Sequence, residues 1–227
     1  MEEKLRNIRK RLRLAMNGVI STSMRQKGMN YKLIFGVPIP EIKQIAKEYE
    51  PEAGLAQALW EEDVREMKIL ATLLYPAKQL SFSEALQWAR EIPYPEIAEQ
   101  CCNNLFSEME KASDLALGLL EEENSPYGRM AGFLLFAQLF KRGKAISEIE
   151  KKFFLSFCEK VLHSEDKQRN QWNEKQAAIQ ALKFFGRQSL EQAEAALSIT
   201  QSKSEVEENE MKRLYDELSF EFEYYKM

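Results

Sequence analysis

One histidine, His163, occurs in 227 residues. A multi-histidine metal centre is therefore excluded, and any histidine-based triad would have to use that residue. It sits in Val161-Leu162-His163-Ser164, which reads as a helix end, where an imidazole in the last turn favours the helix dipole. Cysteine is equally scarce. Three residues, two of them the adjacent Cys101 and Cys102, do not make a disulfide framework and read as small buried thiols in a reducing cytoplasm. Nine glycines and seven prolines are few for this length, which favours long helices with short connections over a turn-rich β fold. No segment alternates strictly between turn signals as a strand would. No apolar run is long enough to span a membrane. The N-terminal MEEKLRNIRKRLRLAM lacks the uncharged apolar core of a signal peptide. No phosphate loop and no metal-ligand cluster is present, so neither a metal nor a cofactor is expected.

What remains is helical patterning throughout. From Tyr31 to Leu74, a Gly36-Val37-Pro38-Ile39-Pro40 hinge leads into two amphipathic helices. Gly36 suits a helix exit or tight turn, and Pro40 suits the first position of a helix, where its missing N–H costs nothing. Ile42, Ile45, Ala46 and Tyr49 form one apolar face. The acidic run Glu61-Glu62-Asp63 is expected to open the next helix, with Met67, Leu70 and Leu74 on one stripe. Ser81 with Glu84, and Ser147 with Glu150, have the spacing of capping boxes. Pro93 and Pro95 break one helix and precede another. Ser125-Pro126 reads as a cap and first-turn proline for a helix through Phe140 that is apolar on nearly all sides, hence buried. A helix around Gln176 to Phe185 ends near Gly186, and Met211, Leu214, Leu218, Phe222 and Tyr225 mark the last one. An isolated helical hairpin cannot cover its apolar face and must stack on neighbours. The expected fold is an all-α, curved superhelical stack of antiparallel helical hairpins, a HEAT-like or ARM-like α-solenoid. It is read as one domain over 1–227, with 203–226 as a C-terminal capping helix.

Net charge is −4 and the sequence pI about 5.4. For a polyanion partner, the distribution of charge matters more than the sum. Lys4, Arg6, Arg9, Lys10, Arg11, Arg13, Arg25, Lys27 and Lys32 load the first part, and Glu205, Glu207, Glu208 and Glu210 load the tail.

The wording of Tyr31–Leu74, and more sparsely the chain as far as Gly186, resembles the bacterial DNA alkylation repair family, the AlkD-type glycosylases built from HEAT-like helical pairs. The resemblance implies double-stranded DNA, alkylated or distorted, as partner on a concave face, and cytoplasmic location as a monomer. It also implies excision of N3- or N7-alkylated purines without base flipping. A cationic alkylpurine is already a good leaving group, so such an enzyme mainly stabilises an oxocarbenium-like sugar with an anion and aromatic faces and positions a water.

The family carries a carboxylate and an aromatic as Trp-x-x-x-Asp on one helix face. Over Pro95-Glu96-Ile97-Ala98-Glu99, Pro95 stands at the Trp and Glu99 at the Asp, which makes Glu99 the candidate catalytic carboxylate. In Pro126-Tyr127-Gly128-Arg129-Met130-Ala131, Arg129 is kept and the Trp is lost. In Gln176-Ala177-Ala178-Ile179-Gln180-Ala181-Leu182-Lys183, Gln180 replaces the second Trp and Lys183 the Arg, while Phe185-Gly186-Arg187 agrees with the family's basic helix exit. Arg129, Lys183 and Arg187 are thus the candidate DNA-binding residues. For Arg129 the alternative is a salt bridge to Glu121, Glu122 or Glu123. Trp172, eight residues before Gln180, reads as core or helix-end packing.

The implied function is a DNA-3-methyladenine or 7-methylguanine type glycosylase whose activity is weak, altered or lost with its rings. The alternatives are a non-catalytic protein that binds DNA structures and a protein-interaction scaffold.

Overall fold

The computed structural model describes residues 1–164, 171–201 and 208–225, apart from the side chain of Gln171. Among the described residues every element is helical: thirteen α-helices and two 3₁₀ turns, with one isolated parallel bridge, Leu33 to Val64, as the sole β pairing. The all-α expectation is met. The chain divides into two compact units, Met1–Glu84 with Asn103–Glu110, and Ala85–Cys102 with Lys111–Met227.

The first unit holds α1 (Glu2–Leu14), α2 (Gly18–Gln26), α3 (Ile39–Ala46), α4 (Ala53–Glu61) and α5 (Arg65–Leu74), with 3₁₀ turns at Ala77–Gln79 and Phe106–Glu108. Its core is made by Ile8 and Leu12, Ile42 and Ile45, Leu55 and Leu59, and Met67 and Leu70, each fully buried at helical spacing. Asn17 caps α2 by accepting the backbone N–H groups of Val19 and Ile20. The basic face of α1 is matched by acids of the same unit: Lys4 with Glu52, Arg9 with Glu62, and Arg11 with Glu48. These exposed pairs each contribute little to stability.

The Tyr31–Leu74 stretch contains three helices rather than two, because Ala53–Glu61 forms a helix of its own, and the acidic run does not open α5. Glu61 ends α4, while Glu62 and Val64 are extended. Asp63 turns back to the hinge: its carboxylate accepts the Lys32 N–H and its carbonyl accepts the Leu33 N–H. Helix α3 starts at Ile39, one residue before Pro40, with Pro38 as its N-cap.

The hinge is organised by a charge inside the core. Glu66 is fully buried and accepts the N–H groups of Phe35 (3.0 Å), Gly36 (2.9 Å) and Val37 (3.3 Å). Arg65, itself buried, donates to Glu66 and to the Val37 carbonyl, each at 3.0 Å. Gly36 is obligatory here: its φ is +74°, and a Cβ would lie 2.2 Å from the Asn17 carbonyl oxygen.

The second unit begins within α6 (Phe82–Arg90), whose Ser81–Glu84 capping box forms as expected. It continues with α7 (Pro95–Asn104), α8 (Ala112–Leu120), α9 (Gly128–Lys141), α10 (Glu148–Leu162), α11 (Gln171–Gly186), α12 (Leu190–Ser198) and α13 (Glu208–Tyr224). The Ser147–Glu150 box opens α10. Ser125 is not the N-cap of α9, a position held by Tyr127: its hydroxyl accepts the Tyr127 N–H at 3.4 Å and donates to the Ala89 carbonyl at 2.7 Å, and the helix begins three residues later. As expected, α9 is buried almost all round. His163 closes α10, with Nε2 2.8 Å from the Ile199 carbonyl. Cys101, Cys102 and Cys158 are buried and form no disulfide, and burial pushes the Cys102 and Cys158 thiols well above the usual range.

Of the C-terminal helix expected over 203–226, residues 203–207 and 226 lie outside the described residues. The described part buries Met211, Leu214, Leu218 and Phe222. Phe222 is seated over Gly186, where a Cβ would lie 2.2 Å from the ring.

Replacing Glu66 with glutamine removes the anion but leaves Arg65 buried, an imbalance that costs about 3–5 kcal/mol when a buried pair is broken. Urea denaturation should show the midpoint falling by an equivalent amount at unchanged slope, and a change under about 0.5 kcal/mol would contradict this role for Glu66.

Candidate nucleic-acid interface

Helices α7, α9 and α11 border a groove of about 380 Å³ within the second unit. Pro95, the first residue of α7, and Glu99 one turn later form one wall. The i, i+4 step puts both on the same side of the helix. The opposite side of α7 is buried through Ala98, Cys101 and Cys102, and the Cys102 thiol donates to the Ala131 carbonyl of α9 at 3.2 Å. Met130 and Leu134 of α9 supply apolar surface to the groove, and Gln180 and Lys183 of α11 supply its polar side.

Two of the four sequence-predicted site residues, Glu99 and Lys183, therefore line one groove, together with Pro95 and Gln180, two of the positions at which family rings are replaced. Glu99 remains open to solvent, but the groove walls desolvate it in part. That desolvation, with repulsion from Glu96, raises its carboxyl above the ordinary glutamate value. Lys183 Nζ is 2.6 Å from Glu217 of α13, which also lies at the groove.

Arg129 and Arg187 lie outside the groove lining. Arg129, in the first turn of α9, pairs with Glu174 of α11 at 3.2 Å and donates its Nε to the Leu120 carbonyl. Its acidic partner is thus on another helix, not among Glu121–Glu123. Arg187 pairs with Glu221 of α13, Nε to Oε1 at 2.7 Å. Its guanidinium lies 3.9 Å from the Tyr225 ring centroid and 4.7 Å from that of Phe184, so it is held by cation–π contact as well as charge.

Sequence reasoning missed two features. Trp172 is not packed away: it is 68% exposed at the groove, whereas Trp60 and Trp88 are buried. The signal was present, since Trp172, Gln176 and Gln180 recur every four residues on one face of α11. The acidic partners Glu174, Glu217 and Glu221 were also missed, because their contacts join residues more than thirty positions apart. Among the described residues no cluster of His, Cys, Asp and Glu could hold a metal ion. No described helix is long and apolar enough to cross a membrane.

The family model for DNA alkylation repair enzyme matches residues 8–217. The chain belongs to that family. Its fold is similar to a solved structure described as belonging to a new family of proteins related to the HEAT-like repeat DNA glycosylases, with affinity for branched DNA structures. The TM-score is 0.74 at 19% sequence identity, over 86% of this chain and 81% of that one. The all-helical, HEAT-like architecture expected from the sequence is thereby met. Comparison with curated proteins gives no match.

The environment of Glu99 yields a titration test. Its carboxyl should titrate with a midpoint above the reference 4.5, and Glu96→Gln should lower that midpoint by removing the repulsion. The sign for folding follows: a carboxyl whose folded-state pKa is raised opposes folding once ionised, so stability declines as pH rises through that window. Carbon-detected NMR of the glutamate side chains reads the midpoint, and a value at or below 4.5 would contradict the desolvated setting.

Proposed function

We propose that the second unit binds branched or otherwise distorted double-stranded DNA along the α7–α9–α11 groove, and that excision of alkylated purines is lost with its rings. The observation that carries this reading is the composition of the groove: a carboxylate and a lysine at the family positions, with Pro95 and Gln180 where aromatic faces are expected. Without those faces a sugar that develops positive charge has the anion but not the flanking π surfaces, and its placement against Glu99 is loose. Misplacement alone costs about a hundredfold in rate. Binding survives such losses because it depends on phosphate contacts, for which Lys183, Arg187 and Arg129 are suited. The affinity for branched DNA described for the structurally similar protein supports the same partner.

A second reading, residual excision, is favoured by one feature. Glu99 is partly desolvated, and an anion in such a setting stabilises an oxocarbenium-like sugar more than it would in bulk water.

Two assays separate the readings. Mobility shifts with a four-way junction and a linear duplex of equal length should show junction binding that weakens steeply between low and physiological salt. Incubation with methylated duplex should release neither 7-methylguanine nor 3-methyladenine above background. Release that disappears in Glu99→Gln would establish the second reading, and absence of DNA binding at low salt would remove both.

A further inference from the structure

The cations suited to DNA along α11 face a row of carboxylates. Lys175 pairs with Glu210 at 3.3 Å, Lys183 with Glu217 at 2.6 Å, and Arg187 with Glu221 through Nε at 2.7 Å. All three acids come from α13, at steps of seven and four residues. At 3.6 residues per turn they fall on one narrow stripe of the helix, about 16 Å long. That stripe flanks the apolar one formed by Met211, Leu214, Leu218 and Phe222, which fixes α13 against its neighbours. The acids are therefore held in place by packing that does not depend on the charges. Glu208, Asp216 and Glu223 lie on the other side of the helix and are exposed.

We propose that Glu210, Glu217 and Glu221 are a built-in phosphate mimic that sets the DNA selectivity of this face. The inference rests on the DNA-binding reading above and deepens it. A tethered carboxylate competes for a cation at an effective concentration that a weakly held duplex does not match. An isolated phosphate backbone gains little by displacing it, because one charge-assisted contact is exchanged for another. A branch point brings phosphates from more than one duplex arm to the same face and supplies more negative charge per cation. Linear duplex is thus excluded and branched DNA admitted, without any base being read. The helix need not leave its seat: Glu210 and Glu217 are 65% and 52% exposed in their side chains, so rotation of the side chains is enough to release the lysines.

The test compares three full-length proteins by fluorescence anisotropy with a linear duplex and a four-way junction over a salt series. They are the natural chain, a stripe variant (Glu210→Gln, Glu217→Gln, Glu221→Gln), and a charge-matched variant of the opposite side (Glu208→Gln, Asp216→Asn, Glu223→Gln). The stripe variant should bind linear duplex about tenfold or more tighter, with a log–log salt slope steeper by about 0.9 for each cation freed. Its gain for the junction should be smaller, so that the preference narrows. The charge-matched variant should change both affinities equally and by less. Equal behaviour of the two variants, or equal gains for duplex and junction, overturns the selectivity role while leaving DNA binding in place. No binding by any of the three at low salt overturns DNA binding itself. If the stripe variant does not fold, Glu210→Gln with Glu217→Gln carries the same comparison.

Discussion

The groove depends on the packing of one aromatic cluster. Phe154 of α10 lies 5.0 Å from Phe136, 5.1 Å from Phe140 and 5.4 Å from Phe185, centroid to centroid. Phe140 in turn lies 5.3 Å from Phe185. These rings lock α9, α10 and α11 together, in tilted and edge-on arrangements that add to their burial. With the α11 backbone fixed, Gln180 and Lys183 are presented to the groove and Lys175 and Arg187 to α13. Burial of Ala98, Cys101 and Cys102 seats α7, and with it Glu99, and the Cys102 thiol bonds to the Ala131 carbonyl of α9. Every side chain that gives the groove its chemistry therefore hangs from a helix whose other side is core.

On that frame the electrostatics are compensated rather than bare. An acidic chain that binds a polyanion must keep its acids away from the binding cations or set them in competition. On the proposed reading α13 does the second, and Glu174, paired with Arg129 at 3.2 Å, does the same for that residue. The basic face of α1 is likewise matched by Glu48, Glu52 and Glu62. A count of basic residues in sequence blocks thus overstates the positive potential available to DNA at either place.

The parts of the fold legible in the sequence are those set by local physics. Apolar periodicity located the helices, and the two Ser–Glu boxes marked starts that depend on contacts three residues apart. Met211, Leu214, Leu218 and Phe222 of α13 were legible for the same reason, whereas Tyr225, expected on the same stripe, is exposed just beyond the helix end. What was not legible depends on distant partners. Nothing local in the sequence singles out Glu66, whose three amide donors lie about thirty residues earlier in the chain. The run Glu61–Asp63 reads as a helix opening until the hinge claims Asp63. Ser125 reads as the cap of α9, but the helix starts at Gly128 with Tyr127 at the N-cap position. At the groove, Glu99 and Lys183 were found by family resemblance, whereas exposed Trp172 and the acids of α13 required the tertiary structure.

The proposed contact of DNA with the second unit runs through the α11 cations Lys175 and Lys183. It is read most directly by lysine acetylation footprinting with mass spectrometry, with and without a saturating four-way junction. Lys183 and Lys175 should be protected on binding, with Lys4, Lys10 and Lys32 unchanged. Protection confined to the lysines of α1 and the hinge, with Lys175 and Lys183 modified as in the free protein, would contradict it.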